Sequence, residues 1–156
     1  MRAVIQRVGR AAVMVDGRIA GQIGSGLVIL LGVGRGDTEE DVEWMAEKIA
    51  HLRVFEAGEG RMDRSVLEAG AETLVVSQFT LYGDVRKGRR PDFRTAAGSA
   101  AAEPLYHRFI AALRGRGVSV QMGIFGARMV VQLDNDGPVT LIVETPDRSP
   151  QTPSSL

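Results

Sequence analysis

Short apolar runs rich in β-branched residues and separated by glycine constrain the fold of this chain more than any other feature. The longest run, 27–33 (LVILLGV), is apolar throughout, which is typical of a central strand buried on both faces. The Asp16-Gly17 pair between two such runs predicts a hairpin turn. We therefore predict a turn at 24–26 and strands over 2–8, 11–15, 18–23, 27–33, 54–55, 73–76, 118–122, 128–133 and 139–145.

Two segments have the spacing of amphipathic helices. Apolar residues recur at helical intervals between 39 and 52, and Thr38 with Asp41 resembles a capping box at the start of that segment. A second helix is predicted to follow Ser99 as its N-cap residue and to run to about Leu113. Glycines just beyond Leu113 would end it.

These elements predict a single α/β domain over residues 1–145, with mixed, mostly antiparallel β-sheets and two main helices. A chain of 156 residues is the size of one domain and can bury a substantial core. The remaining residues, 146–156, are rich in proline and serine, which predicts a flexible C-terminal tail.

The composition excludes several classes of function. Because 19 basic side chains balance 19 acidic ones, any contact with nucleic acid requires a local basic patch. The absence of cysteine excludes disulfides and thiolate metal sites. The N-terminus is too polar for a signal peptide, and no apolar run approaches the length of a membrane span. We expect a cytoplasmic protein with no membrane partner, no metal and no cofactor.

Common catalytic motifs are missing or fail at a decisive position. The segment GVGRGD at 32–37 follows a strand and opens a helix, but Asp37 replaces the last glycine of a dinucleotide-binding fingerprint and would repel a pyrophosphate. We interpret this segment as a strand-to-helix turn. His51 and His107 lie on predicted helices without partners at catalytic or ligand spacing, so no general-base histidine is indicated.

A polar loop over 84–98 contains the one concentration of positive charge in the chain. Such a field could meet phosphates, although a solvated loop is the alternative interpretation. The loop directly follows segment 77–83, and this position favours a role in binding next to any site that segment 77–83 forms. Its basic residues are Arg86, Lys87, Arg89, Arg90 and Arg94.

The segment 77–83 (SQFTLYG) ends a predicted buried strand. The end of a strand can direct backbone N–H groups and side chains towards a ligand. Ser77, Gln78 and Thr80 supply hydroxyl and amide groups there, and Phe79 could stack on a ring. Edge strands often have a similar composition, so this segment alone does not specify a site.

A Gly-Pro pair lies between two strand-like runs near the C-terminus. Proline has no N–H and is excluded from central strands, so Gly137-Pro138 with the preceding Asn135-Asp136 favours an ordinary tight turn. An X-Pro bond can also be cis, usually for a functional reason, and such a turn could present two carbonyl oxygens side by side. Both interpretations stay open from the residues alone.

Taken together, SQFTL (77–81) and NDGPVT (135–140) closely resemble the D-aminoacyl-tRNA deacylase family and point to its chiral-proofreading branch. One departure from the family pattern is Asp63, where asparagine is common. The resemblance covers residues 1–145. Further similar segments are the opening MRAVIQRV, the hairpin into 27–33, the Arg-Met-Asp turn at 61–63, RRPDF at 89–93 and GIFGARMVVQL at 123–133.

The resemblance implies a homodimeric hydrolase of aminoacyl-tRNA. It would cleave the ester between a D-amino acid, or glycine mischarged on tRNA(Ala), and the 3′-terminal adenosine. The Gly137-Pro138 bond would be cis, and its loop would enter the partner's active site. There the two carbonyl oxygens would hold the α-amino group, and the loop would exclude L side chains. Arg7 would steady the partner's loop.

The same resemblance assigns roles at the strand end. Gln78, Phe79 and Thr80 would be the catalytic residues that line the ester, with the Phe79 N–H as oxyanion donor. Ser77 and Phe125 would belong to the substrate-binding set, and Phe125 would cover the terminal adenine.

Two mechanisms are open for such a site. In one, Thr80 is a nucleophile, which requires an adjacent base that no motif supplies. In the other, the 2′-OH of the terminal ribose assists water, and the protein contributes positioning. The absence of a catalytic histidine, cysteine or metal signature favours the second mechanism.

Two other functions compete with chiral proofreading. One is a non-catalytic nucleic-acid-binding module that uses the basic loop. The other is a hydrolase of small esters with Thr80 as nucleophile, which would turn over substrates without tRNA.

Overall fold

The computed structural model describes residues 1–148, and these form one α/β domain with mixed sheets and two α-helices, as predicted. Residues 149–156 of the predicted tail lie outside the described part. The helices are α1 (Glu39–His51) and α2 (Ser99–Gly115), and a 3₁₀ helix spans Phe79–Tyr82. The strands are β1 (Arg2–Val15), β2 (Arg18–Ile23), β3 (Gly26–Gly32), β4 (Phe55–Glu56), β5 (Met62–Arg64), β6 (Glu72–Ser77), β7 (Ser119–Met122) and β8 (Val130–Glu144).

In the main sheet, β1 pairs with β2, β3 and β8, and the sheet continues from β3 through β6 to β7. β1 is antiparallel to β2, β3 and β8, whereas β6 is parallel to both β3 and β7. β4 and β5 form a separate antiparallel pair. The apolar run 27–33 falls mainly on β3, which lies mid-sheet with nearly every residue buried, as predicted.

β2 and β3 follow one another along the same edge of β1. The register is continuous, since Ile23 pairs with Ala11 and Gly26 pairs with Val8. The chain therefore bends at 24–25 without reversing, and the predicted turn is wrong. β1 likewise runs through Gly9, so the two predicted strands 2–8 and 11–15 are one. Backbone partners on neighbouring strands keep the residues on both sides of these glycines extended.

The sheet curls until its two edges approach each other. A Cβ on Gly21 in β2 would lie only 2.8 Å from the carbonyl oxygen of Met122 in β7, so glycine permits this approach. The curl encloses a small core, and the helices cover a larger one on the other side. The inner core contains Val8, Ala11, Val13, Ile23, Val28, Leu74 and Val76. The larger core includes Ile5, Leu27, Ile29, Met45, Ile49, Tyr106, Phe109 and Leu113.

The helix boundaries follow local hydrogen bonds. The N–H of Thr38 donates to Asp41 Oδ2 at 2.8 Å, which confirms the predicted capping box of α1. Gly98, not Ser99, caps α2, because the Gly98 carbonyl accepts from the Ala102 N–H at 2.9 Å. None of the helices within residues 1–148 is long and apolar enough to cross a membrane.

Candidate active site

A cavity of about 500 Å³ lies where β6 ends. The N–H of Gln78 donates to the Leu31 carbonyl at 2.8 Å, and the chain then leaves the sheet. Ser77, Gln78 and Phe79 line one side of the cavity, and Phe125 lines another. Its volume is within the range of about 300–1,000 Å³ that small-molecule sites occupy. The structure thus brings four of the eight predicted site residues into one space.

The start of α2 completes the cavity, which sequence reasoning missed. Gly98, Ser99 and Ala102 contribute to the lining, and so does Met129 just before β8. The small residues at 96–102 are the only sequence signal, because side chains of this size leave room where a helix begins beside a strand end.

Phe79 opens the 3₁₀ helix at the rim of the cavity. Phe79 is 55% exposed, and its ring meets the ring of Phe93 edge to face, with centroids 5.1 Å apart. Backbone N–H groups at the start of a helix have no partner within that helix, so the Phe79 N–H can donate to a ligand. Phe93 was not among the predicted site residues, although it lies in the RRPDF segment.

Thr80 lies beside the cavity but does not line it. Its hydroxyl is exposed and accepts a hydrogen bond from Gln78 Nε2. Among residues 1–148, no ionisable side chain contacts this hydroxyl. A carboxamide does not take up a proton at neutral pH, so the one side-chain partner of Thr80 cannot act as its base.

Phe125 is held against the domain by Tyr106. The two rings are tilted, with centroids 5.6 Å apart. The buried hydroxyl of Tyr106 donates to the Val75 carbonyl of β6 at 3.0 Å. Burial raises the pKa of Tyr106 to about 12, so the phenol stays a neutral donor at physiological pH. Tyr106 thereby ties Phe125 to the strand that carries the rest of the cavity.

The Gly-Pro pair lies within a single strand. β8 runs unbroken from Val130 to Glu144, so the interpretation as a tight turn joining two strands is wrong. Gln6 pairs with Thr140 and Val8 with Asn135, and residues 136–139 therefore bulge out opposite Arg7 alone. We call residues 136–139 the Gly-Pro bulge. Its Gly137-Pro138 peptide bond is cis.

Arg7 supports the bulge from within the same chain. Arg7 is 7% exposed, and its guanidinium donates to the Val54 carbonyl at 2.8 Å and to the Asp136 carbonyl at 3.2 Å. The resemblance predicted a contact with the partner's bulge, but the contact in the described chain is with its own. A buried cation shared by two carbonyls ties the bulge to Val54, the residue before β4.

Asn135 closes the base of the bulge. Its Oδ1 accepts from the Val139 N–H at 3.2 Å, and its Nδ2 donates to Thr140 Oγ1 at 2.9 Å. Sequence reasoning assigned Asn135 only to a turn. The signal for this role was its place immediately before Asp-Gly-Pro, since asparagine often bonds to nearby backbone.

The conformation of the bulge requires glycine at position 137. Its φ of +128° lies in a region that L side chains rarely adopt, and an added Cβ would lie 2.8 Å from Val139 Cγ2. Gly137 and Pro138 are exposed. Neither residue, nor Arg7, lines the cavity of the same chain.

The other polar features singled out in the sequence have structural contacts. Asp37 accepts from the Gly34 N–H at 2.6 Å and from the N-terminal ammonium group at 2.9 Å, which agrees with a strand-to-helix turn. His51 and His107 lie on helix surfaces beside Glu47 and Glu103. Within residues 1–148, no group of three or more acidic or histidine side chains could hold a metal ion.

Comparison with known proteins identifies relatives along nearly the whole chain. Residues 4–144 match the family D-Tyr-tRNA(Tyr) deacylase. The chain is 57% identical over 145 residues to a D-aminoacyl-tRNA deacylase of Desulfitobacterium hafniense (strain DSM 10664 / DCB-2), covering 93% of this chain and 97% of that one. It is 58% identical over 148 residues to the D-aminoacyl-tRNA deacylase of Thermus aquaticus, covering 95% and 97%.

Solved structures show the same fold. The structure of a c-Myc DNA Unwinding Element Binding Protein superposes with a TM-score of 0.89 at 45% identity, covering 94% of this chain and 100% of that one. A probable eukaryotic D-amino acid tRNA deacylase superposes with a TM-score of 0.76 at 22% identity, covering 91% and 97%, which is a likeness of fold alone.

These similarities place the chain among the hydrolases, as expected. More particularly, the chain belongs to the D-Tyr-tRNA(Tyr) deacylase family, which confirms the resemblance carried by SQFTL and NDGPVT.

Proposed function

We propose that this protein hydrolyses the ester bond between a D-amino acid and the 3′-terminal adenosine of tRNA in the cytoplasm, and that it spares L-aminoacyl-tRNA. The observation that carries the proposal is the cavity at the end of β6, where Ser77–Phe79 and Phe125 converge in a chain of this family. The same pocket would accept glycine mischarged on tRNA(Ala), since glycine has no side chain to exclude.

Discrimination would come from the Gly-Pro bulge of a second subunit. Gly137 and Pro138 are exposed and lie outside the cavity of their own chain, which leaves their carbonyl oxygens available to another chain. Those oxygens would accept hydrogen bonds from the α-ammonium group of the substrate. The bulge would then occupy the space that an L side chain needs, whereas a D side chain would point away from it.

The unpaired edge of β8 and the exposed apolar side chains of this strand support a homodimer. β8 pairs only with β1 among the described strands, so its second edge has no partner there. Three large apolar side chains on this strand are exposed: Val130 (56%), Leu141 (38%) and Ile142 (70%). A second copy would cover them and bring its bulge to the first chain.

The contacts of Thr80 favour catalysis assisted by the 2′-OH of the terminal ribose. Thr80 has only the Gln78 amide as side-chain partner, so nothing in its described surroundings would remove its proton. The ribose hydroxyl would instead orient the attacking water, and the Phe79 N–H would stabilise the oxyanion. One such donor is worth about 100- to 1,000-fold in rate.

The activity is tested with three substrates: D-Tyr-tRNA, L-Tyr-tRNA and the ethyl ester of D-Tyr. We expect rapid loss of the first only, and no effect of EDTA. Cleavage of both tRNA esters would overturn discrimination by the bulge. Turnover of the ethyl ester would favour a small-ester hydrolase, and no turnover of any substrate would favour a binding module.

The mechanism is tested with D-Tyr-tRNA that ends in 2′-deoxyadenosine. We expect this substrate to be nearly inert and Thr80→Ala to keep most of its activity on normal tRNA. Normal cleavage of the deoxy substrate together with an inactive Thr80→Ala variant would establish Thr80 as the nucleophile instead.

Action of the bulge across subunits is tested by complementation. Gly137→Ala damages the bulge, and Phe79→Pro removes the N–H at the cavity. Each variant alone should be inactive, whereas a mixed dimer purified through two different tags should regain activity at one of its two sites. A mixed dimer as inactive as its parents would show that the bulge acts within its own chain.

A further inference from the structure

The basic segment beside the cavity has a defined structure. Asp84 and Asp92 exchange two backbone hydrogen bonds, of 2.7 and 2.9 Å, which close a hairpin. Gly88, with a φ of +69°, lies between these two residues. We call residues 84–94 the basic hairpin. These bonds close the base of the hairpin, and the Arg86 N–H also donates to Asp84 Oδ1 at 3.0 Å.

Two of its five cations are neutralised inside the hairpin. Arg86 forms a two-pronged ion pair with Asp84, with distances of 2.9 and 2.6 Å, and Arg94 Nε lies 2.6 Å from Asp92 Oδ2. The hydrogen bond from Arg86 holds the pKa of Asp84 well below its usual range, so this carboxylate stays charged at any physiological pH. Both carboxylates of the hairpin are thus occupied.

The other three cations are exposed and have no acidic partner within residues 1–148. Lys87, Arg89 and Arg90 are adjacent to the turn at Gly88, and none of them makes an ion pair or a side-chain hydrogen bond there. In a chain of zero net charge, this cluster is a local positive field at one place. An exposed cluster of this kind binds phosphates by releasing their counterions.

The hairpin is anchored next to the cavity. Phe93 packs on Phe79 at the cavity rim, with ring centroids 5.1 Å apart. Downstream, the Ala97 N–H donates to the Val33 carbonyl at 2.9 Å, and Arg35 N–H donates to the Thr95 carbonyl at 2.9 Å. Gly88 is four residues from both Asp84 and Asp92, and an extended chain of four residues reaches about 13 Å. The three cations beside Gly88 therefore lie within a few nucleotides of any base bound in the cavity.

We propose that Lys87, Arg89 and Arg90 bind backbone phosphates of the tRNA acceptor end, and so hold the strand that leads into the cavity. This inference rests on the proposed function, because the terminal adenosine must occupy the cavity for its neighbouring phosphates to pass the hairpin. The contacts are to phosphates, so they would serve every tRNA sequence and every D-amino acid alike.

The test compares a loop variant with a charge-matched control. The loop variant is Lys87→Gln/Arg89→Gln/Arg90→Gln. The control, Arg18→Gln/Lys48→Gln/Arg61→Gln, removes the same charge from the first hairpin, from α1 and from the β4–β5 turn. The two substrates are D-Tyr-tRNA and 3′-O-(D-tyrosyl)adenosine, which lacks phosphates. KM is measured from about 50 to about 200 mM salt.

We expect the loop variant to raise KM for D-Tyr-tRNA about tenfold at the higher salt and to lower the slope of log KM against log salt by about 2–3. Cleavage of the adenosine ester should match that of the wild type, and the control should match it on both substrates. An unchanged slope in the loop variant would overturn the inference while leaving the deacylase activity intact.

Two further outcomes are distinct. If the wild type cleaves neither D-Tyr-tRNA nor the adenosine ester, the proposed function is wrong, whatever the loop does. If a duplex DNA of the same length competes with tRNA as strongly as uncharged tRNA does, and the loop variant abolishes that competition, the hairpin is a general nucleic-acid surface and the assignment to the acceptor end is wrong.

Discussion

The cavity and the Gly-Pro bulge are the two regions that carry the signature residues of this protein, and they are built in opposite ways. The cavity is complete within one chain: β6, the start of α2 and Phe125 enclose it, and Tyr106 fixes it to the core. The bulge projects from β8, with Arg7 and Asn135 beneath it and exposed residues at its tip.

This difference separates the part of the site that one chain forms alone from the part that needs a second molecule. The cavity has the Phe79 N–H at its rim without any contribution from a second chain. A bulge that its own chain does not cover acquires a role only when another molecule meets it. We infer that selection against L-amino acids depends on assembly, whereas binding of the adenosine does not.

The largest expected effect is that of Phe79→Pro on the cavity. Phe79 is the first residue of its 3₁₀ helix, where proline is tolerated, so the substitution removes the N–H with little change in the backbone. We expect kcat for D-Tyr-tRNA to fall about 100- to 1,000-fold. Phe79→Ala keeps the N–H and should lose far less, and equal losses in the two variants would exclude the oxyanion role.

Gly137→Ala addresses the bulge directly. The new methyl group would meet Val139 Cγ2 at 2.8 Å at a φ of +128°, so the bulge must shift. A shift of about 1 Å costs about 100-fold in kcat/KM. The control is Gly58→Ala, which also has a positive φ (+93°) but open space around it. If both variants keep wild-type kcat/KM in the D-Tyr-tRNA assay, the bulge has no part in the reaction.

Arg7→Ala tests how much the contacts beneath the bulge contribute to the free energy of unfolding. The substitution leaves two carbonyls, those of Val54 and Asp136, without their buried donor. We expect the free energy of unfolding in urea to fall by about 2–4 kcal/mol. Arg10→Ala on the same strand removes an 81%-exposed guanidinium paired with Asp134 and should cost at most about 1 kcal/mol. Similar losses of unfolding free energy in the two variants would show that Arg7 stabilises the protein no more than an exposed arginine does.

Tyr106→Phe tests the support beneath the cavity and should have a small effect. The Val75 carbonyl that loses the phenol still accepts the Gly123 N–H at 3.1 Å. We therefore expect a loss of about 0.5–1.5 kcal/mol in unfolding free energy and little change in kcat. A large loss of activity at unchanged stability would instead give Tyr106 a direct role in the site.

The smallest effect is spectroscopic and concerns the two tyrosines of the chain. Burial raises the pKa of both Tyr82 and Tyr106 to about 12. Phenolate absorbance of the folded protein should therefore show no step near pH 10, where the unfolded chain titrates. Their stabilising contribution is complete below about pH 10 and is lost as the pH rises towards 12. A step near pH 10 in the folded state would show that a tyrosine is solvated.

Much of the fold could be predicted because apolar periodicity is local. The buried strand β3, the Asp16-Gly17 hairpin and the capping box of α1 each depend on a few neighbouring residues. Ser99 was misplaced by one position because a serine is the commoner N-cap, whereas here Gly98 supplies the cap. Strand breaks at glycines were the systematic error, at Gly9, at 24–26 and at Gly137.

The sequence by itself determined the strands and helices, the neutral charge balance with one basic segment, and the two signature segments. The tertiary structure alone decided that β1 runs through Gly9, that the chain bends at 24–25 without reversing, and that Gly137 lies in a bulge of β8. Hydrogen bonds to neighbouring strands on either side of these glycines outweigh local preference. It also decided that Phe93 meets Phe79 and that Arg7 lies beneath the bulge. Such contacts join residues far apart in the chain, and local residue patterns do not predict the distances between remote segments.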